Sequence, residues 1–167
     1  MKNTAPIKQI EKVVVNSGIG RLSSQPNFSD KILPAVTADF MAITGQKPSE
    51  RPAKKSISSF KLREGTVVGL KATLRRKRME QFFNKVIKVV LPRVRDFQGV
   101  DPKNIDDHGN LSFGVKDQMV FPEINAETSK SNFGIEITVV PKFRKTKEEA
   151  FEFYKGLGVP FMKNTSK

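Results

Sequence analysis

Apolar and polar positions along this chain follow two periods. Period-two alternation marks residues 9–17 (QIEKVVVNS), 66–74, 111–116 and 134–140 as strands, because successive strand side chains point to opposite faces. Helical spacing marks residues 28–44, where Ile32, Val36, Phe40 and Ile43 recur and Gly45 supplies the stop. Pro34 places the start of the regular helix near Lys31, where a missing N–H does little harm. The longest helix is predicted over 76–94. There Met79, Phe82, Phe83, Val86, Ile87, Val90, Leu91 and Val94 form the apolar stripe, and Glu80, Gln81, Asn84, Lys85 and Lys88 the polar one. Pro92 closes it. A short helix follows near 147–157. Residues 49–52 read as a turn-rich entry to a possible strand over 54–60, 61–65 as a turn, 99–110 as a Gly/Pro/Asp-rich connection, and 119–123 as irregular.

The alternation also assigns faces. Val13 and Val15, then Val68, Leu70, Ala72 and Leu74, then Leu111, Phe113 and Val115, and finally Ile135, Ile137 and Val139 share core-facing parity. Lys12, Val14 and Asn16, with Lys71, Thr73 and Arg75, take the opposite parity. This predicts an α+β fold in which helices pack on one face of an antiparallel sheet and leave the other face open, polar and cationic. No repeat, low-complexity tract or long linker interrupts it, so residues 1–167 are expected to form a single domain.

Composition narrows the chemistry. The chain has no Cys and one His, which leaves thiolate ligands, disulfides and His-pair metal sites out of reach and predicts no cofactor. No apolar run approaches the ~18 residues of a membrane span, and no signal-peptide core is present, so a cytoplasmic protein without a membrane partner is expected. Net charge is +13, and it is not spread evenly. Residues 45–95 hold fifteen Lys/Arg against three Asp/Glu, whereas 1–44 hold five against three and 96–167 ten against eleven. A segment so lopsided repels itself unless a polyanion neutralises it, and nucleic acid fits better than a membrane, which would call for a basic amphipathic helix with exposed apolar residues.

Individual motifs sharpen this. Gly18-Ile19-Gly20 after a strand evokes a dinucleotide loop, but the third glycine is replaced by Ser23 and no ribose-binding acid follows, so a tight turn is expected. Asp106-Asp107-His108-Gly109 reads as a polar turn and not as a metal or acid–base site. Arg75-Arg76-Lys77-Arg78 places four cations at a helix start, against the macrodipole, which an anionic partner would offset. Residues 54–65 (KKSISSFKLREG) mix cations, hydroxyls and one aromatic; such a segment can follow a phosphate backbone and order on binding.

Seven collinear blocks carry a family resemblance: KVVVNSGIG (12–20), ITGQKP (43–48), KKSISSFKLREG (54–65), GLKATLRRKRMEQFF (69–83), LPRVRDFQG (91–99), GNLSFGVKDQMVFPEI (109–124) and GIEITVV (134–140). Over residues 10–161 the chain resembles the bacterial large-subunit ribosomal protein five family, which binds 5S rRNA in the central protuberance. The resemblance implies an α+β domain, a structural role in the large subunit, and no small-molecule substrate. It implies 5S rRNA contacts at Lys12, Asn16, Gln46 and Thr73, which suit the shallow minor groove of A-form RNA. Lys54, Lys55, Lys71, Arg75 and Arg76 would add phosphate contacts. It further implies that the 54–65 loop reaches P-site tRNA through Ser56, Ser58, Phe60, Lys61 and Arg63. The near-neutral C-terminal half would meet a small-subunit head protein across a bridge, and neighbouring large-subunit rRNA and 5S-binding proteins are further expected partners. Family members usually carry an N-terminal helix before the first strand; here only residues 1–9 precede it.

Two rival classes share part of this pattern. A general DNA-binding protein shares the charge, but the predicted 76–94 helix turns its apolar stripe to the core and is no recognition helix. An enzyme acting on nucleotides needs gathered acids, and residues 45–95 hold only Glu50, Glu64 and Glu80.

Overall fold

The computed structural model describes residues 6–125, 129 and 131–162. Its strands are β1 (Ile10–Gly18), β2 (Ser49–Pro52), β3 (Val67–Leu74), β4 (Leu111–Val115) and β5 (Ile135–Pro141), in one sheet of order β2-β3-β1-β5-β4. Three helices accompany them: α1 (Leu33–Thr44), α2 (Arg76–Lys85) and α3 (Lys147–Gly156). The predicted α+β class with an antiparallel sheet is the observed one. Described residues within Met1–Val14, Leu74–Phe113 and Ile137–Lys167 pack as one compact unit, and those within Val15–Thr73 and Gly114–Glu136 as a second.

In the second unit, α1 is preceded by a wide five-residue turn, Phe28–Ile32, so the helical path covers the predicted 28–44; Pro34 is the second residue of α1, directly after this wide turn, where the path departs from regular α-helical bonding. Val36, Phe40 and Ile43 are buried, while Ile32 is only half-buried. Gly45 closes the helix at φ +66, its N–H donating to the Met41 carbonyl at 2.8 Å. The strand expected over 54–60 is not formed. The edge strand is instead Ser49–Pro52, paired antiparallel to β3 with Ser49 opposite Lys71 and Arg51 opposite Gly69. Its four residues are all exposed, so no buried alternation betrays it, and a register irregularity at Arg51/Pro52 ends it where proline lacks a ladder donor.

The first unit is built around α2, which continues through Val86–Val90 and Leu91–Arg93 before Val94 turns extended. Met79, Phe82, Phe83, Val86, Val90 and Leu91 are buried; Ile87 and Val94, expected in the same stripe, are half-buried, because the wider turn at 86–90 departs from the 3.6-residue period. At α3, Thr146 and Glu149 form a reciprocal capping box, each side chain accepting from the other's backbone N–H (3.0 and 3.3 Å). Residues 159–162 are strapped beside Val100, whose N–H donates to the Pro160 carbonyl at 2.8 Å. Gly99, at φ +112, leaves no room for a Cβ against the backbone of Phe161 and Met162.

Burial confirms the strand parity. Val13, Val15, Leu70, Ala72, Leu74, Leu111, Phe113, Val115, Ile135, Ile137 and Val139 are buried, with Val68 half-buried. Lys12, Val14, Asn16, Lys71 and Thr73 are partly exposed and Arg75 exposed. Among the described residues no helix is long and apolar enough to cross a membrane.

Candidate nucleic-acid interface

In the second unit, adjacent strands β1 and β3 carry Asn16, Lys71 and Thr73 at outward positions. Gln46 joins them: its Nε2 donates to the Thr73 carbonyl at 3.4 Å. The reason lies one residue before the α1 stop. Thr44 is buried, its hydroxyl lies 2.8 Å from the Phe40 carbonyl and 2.9 Å from that of Gln46, and it fixes the chain direction just before Gln46. Nothing in the apolar pattern singles out Thr44.

Beside Asn16 lies a shallow groove of about 450 Å³, lined also by Gly18, Gly114, Lys116, Gly134 and Glu136. A Cβ at Gly18 or Gly114 would meet nothing within 4 Å, and neither residue has a positive φ. Local geometry therefore does not require glycine at either position, although glycine weakens a strand. The effect is to keep backbone exposed on the groove floor, as a close-approaching ligand requires. The exposed parity of Gly18 and Gly114 was available in the sequence.

The 54–65 segment is already folded. Ile57 and Leu62 exchange backbone hydrogen bonds (2.9 and 3.1 Å), Ala53 donates to the Thr66 carbonyl and accepts from Gly65, and the Ser56 hydroxyl accepts from the Glu64 N–H at 2.9 Å. Lys61 turns the tip at φ +51. Ile57 with Leu62 and Ser56 with Glu64 thus close a small hairpin. Phe60 stands at its tip, 75% exposed, with Lys54, Lys55, Ser56, Ser58, Lys61 and Arg63 also exposed.

In the first unit, Lys12 and Arg75 flank a residue the sequence reading passed over. Glu11 Oε1 lies 2.9 Å from Arg75 Nη1 and 3.6 Å from Lys12 Nζ. The Arg75 hydrogen bond, with the charge of Lys12, holds the Glu11 carboxyl below its ordinary pKa. Arg75 is thus not the unengaged cation the motif implied. Arg76, Lys77 and Arg78 are exposed, and no carboxylate among the described residues pairs with them. The helix begins with no acid in its first turn and no side-chain cap, and Arg76 itself sits at φ +54. A left-handed arginine is strained by roughly 1–2 kcal/mol, and it stands in the middle of the cationic run.

The Asp106–Gly109 segment is the polar turn expected. Asp106 Oδ1 accepts from the backbone N–H groups of His108 and Asn110, both at 2.8 Å, and Oδ2 from the Asn110 amide at 2.7 Å. Burial raises the Asp106 pKa, but these hydrogen bonds outweigh it and leave it below the ordinary value. Asp107 pairs with Lys147 at 2.9 Å. Gly18–Gly20 is likewise a tight turn, fastened by the Ile19 N–H to the Val68 carbonyl at 2.9 Å. Among the described residues no three His, Asp or Glu side chains gather to hold a metal.

These features define a class first: a small α+β protein whose two units each expose cations and hydrogen-bonding groups. Residues 3–63 match the family described as Ribosomal protein L5, and residues 67–161 match the model of that ribosomal family's C-terminus. The chain is similar to the large ribosomal subunit protein uL5 of Pseudothermotoga lettingae, at 47% identity over 160 residues (96% of this chain, 85% of the relative). It is similar to that of Fusobacterium nucleatum, at 45% over 163 residues (98% and 86%), and of Halothermothrix orenii, at 44% over 160 residues (96% and 87%). The chain belongs to the ribosomal protein L5 family, and is by that membership a structural, non-catalytic protein of the ribosome.

Proposed function

We propose that the chain acts as one 5S-rRNA-binding domain in the central protuberance of the large subunit. The carrying observation is the second unit's partly exposed cluster of Asn16, Gln46, Lys71 and Thr73, with Asn16 lining a glycine-floored groove. Uncharged donors and acceptors at that surface suit the 2′-hydroxyls and base edges of an A-form minor groove. In the first unit, Lys12 adds to the 5S contacts and Arg75 and Arg76 supply phosphate contacts, as do Lys54, Lys55 and Lys71 in the second. The hairpin bearing Ser56, Ser58, Phe60, Lys61 and Arg63 reaches P-site tRNA, and its closed, cation-rich form supports that assignment. Neighbouring large-subunit rRNA and 5S-binding proteins complete the surroundings. A small-subunit head protein meets the C-terminal half. Support for that last contact is the near-neutral charge of residues 96–167 and the groove of about 550 Å³ formed by Pro102, Ile105 and Phe151 with Lys103, Glu148 and Glu152 at its rim.

Gel shift of the purified protein with 5S rRNA and with an unrelated RNA of equal length tests the specific reading; equal affinity at physiological salt removes it. Asn16→Ala or Thr73→Ala is expected to weaken 5S binding by ~1–3 kcal/mol, the range for a good specific contact, with the salt slope unchanged. Arg75→Ala is expected to flatten that slope by up to about one.

A further inference from the structure

Segment-averaged charge conceals a second cationic feature. Residues 96–167 are almost neutral, yet β5 runs directly into Lys142-Phe143-Arg144-Lys145. Phe143 is 73% exposed, matched among the described hydrophobics only by Phe60 at 75%. A lone exposed Phe is ordinary on a protein surface. Three observations set this one apart.

The turn is held at both ends. The Lys142 N–H donates to the Gln9 carbonyl at 2.8 Å, and the Lys145 N–H to that of His108 at 3.4 Å. Behind it, Gly109 at φ +81 lets the chain pass so close that a Cβ would stand 3.0 Å from Lys145 Cβ and 3.1 Å from its carbonyl oxygen. Second, three of the acids around it are engaged elsewhere, Asp106 by the turn amides, Asp107 by Lys147 and Glu149 by the Thr146 N–H, while Glu148 lines the groove with Lys103 and Phe151. Third, the cations divide. Lys145 lies over the Phe153 ring, 5.0 Å from its centroid, while Lys142, Arg144 and nearby Lys8 are exposed with no carboxylate partner among the described residues. An exposed aromatic ring on a backbone-anchored turn, flanked by unneutralised cations, is how proteins hold a nucleobase with its adjoining phosphates.

We infer that residues 141–146 form a further RNA contact, in which Phe143 stacks on an unpaired base and Lys142 and Arg144 take the flanking phosphates. This site lies outside the residues assigned above, and it stands or falls separately from 5S binding.

The chain contains no Trp, so Phe143→Trp in the full chain installs a single reporter at an exposed position that the fold tolerates. Titration with a short oligoadenylate is expected to quench the new indole through stacking. Adding Lys142→Ala and Arg144→Ala should move the midpoint to roughly ten-fold higher RNA and flatten its salt dependence by about 0.7 per cation removed. Polyglutamate, the control for an acidic protein partner, should leave the emission unchanged. Emission that responds to polyglutamate and not to oligoadenylate overturns the inference in favour of a protein contact. Emission that responds to neither leaves Phe143 an ordinary surface residue and overturns it as well. A 5S gel shift on the same variant reports independently on the main reading.

Discussion

The hairpin over 54–65 and the turn over 141–146 carry the same kit, a Phe at least 73% exposed set among cations, but they are held in place by different means. The hairpin closes on itself: Ile57 with Leu62, Ser56 with Glu64, Ala53 with Gly65 and Thr66. The turn makes its two backbone bonds to residues far away in sequence, at Gln9 and His108, and has Gly109 against its back. Self-closure makes a tip robust to changes elsewhere; borrowed anchorage makes it depend on the packing of its unit. The two also differ in how they announce themselves. The hairpin lies in the segment with fifteen cations against three acids, whereas the turn lies where acids slightly exceed cations.

The largest separation between them is expected from Gly109→Ala. The new methyl would face the Lys145 backbone, and alanine at φ +81 is strained by itself. Together these should destabilise the fold by about 2–3 kcal/mol and displace the turn. Thermal unfolding measures the first effect. The second would appear as a changed emission of an indole at position 143 but not at position 60. An equal change at both positions would end the distinction between borrowed and local anchorage.

Tyr154→Phe tests the same dependence with less force. The Tyr154 hydroxyl, fully buried, lies 2.8 Å from the Gly109 carbonyl and 3.1 Å from that of Val139, just ahead of the turn. Losing it strands buried carbonyls at a cost of ~1–3 kcal/mol. Burial raises the Tyr154 pKa above its ordinary value. Because the folded state resists deprotonation, the wild-type stability should be intact below the unfolded tyrosine pKa of about 10 and fall as pH rises beyond it. Tyr154→Phe should weaken that alkaline decline in a chain with one Tyr. If the decline is as steep in the variant, the lysines cause it.

Ser56→Ala is the matching cut in the hairpin and a smaller one, about 0.5 kcal/mol, since the Ser56–Glu64 bond is solvent-exposed. Hydrogen exchange at the Glu64 amide should rise, with no change at Lys142 or Lys145. Protection lost in the turn as well would mean that the hairpin is not locally closed.

What the sequence made legible follows from how far each interaction reaches along the chain. Parity located the buried faces of four strands and the outward Asn16, Lys71 and Thr73, because alternation is local. It missed β2, whose four residues are all exposed, and over 54–60 it expected a strand where the chain closes a hairpin, because the pairing of Ile57 with Leu62 is unseen in the pattern. Thr44 and Glu11 stayed hidden for the same reason. Their partners are set by tertiary approach, and a buried hydroxyl or a lone acid in a basic region has no periodic signature. The Phe143 turn shows a further limit: net charge summed over a segment cannot show that acids such as Asp106 and Asp107 are engaged away from the turn.

Glu11 supplies the smallest predicted effect and the clearest contrast with that turn. At Arg75 the fold has already placed a carboxylate on the cation, at 2.9 Å, whereas Lys142 and Arg144 have none among the described residues. The Glu11 pKa is depressed, so its favourable pairing is present above the unfolded carboxylate pKa and fades as pH falls through the folded value. Both partners are solvent-exposed, so Glu11→Gln should leave the unfolding midpoint unchanged. Its effect should appear only against RNA: a released Arg75 can meet a phosphate without first breaking an ion pair, and the salt slope of 5S binding should steepen by at most about one. Removing a carboxylate near Phe143, by Asp107→Asn, should leave the oligoadenylate response at position 143 nearly unchanged, because that acid is engaged by Lys147 and not by the turn. A steeper slope in the second case and none in the first would mean that the cations have been assigned to the wrong acids.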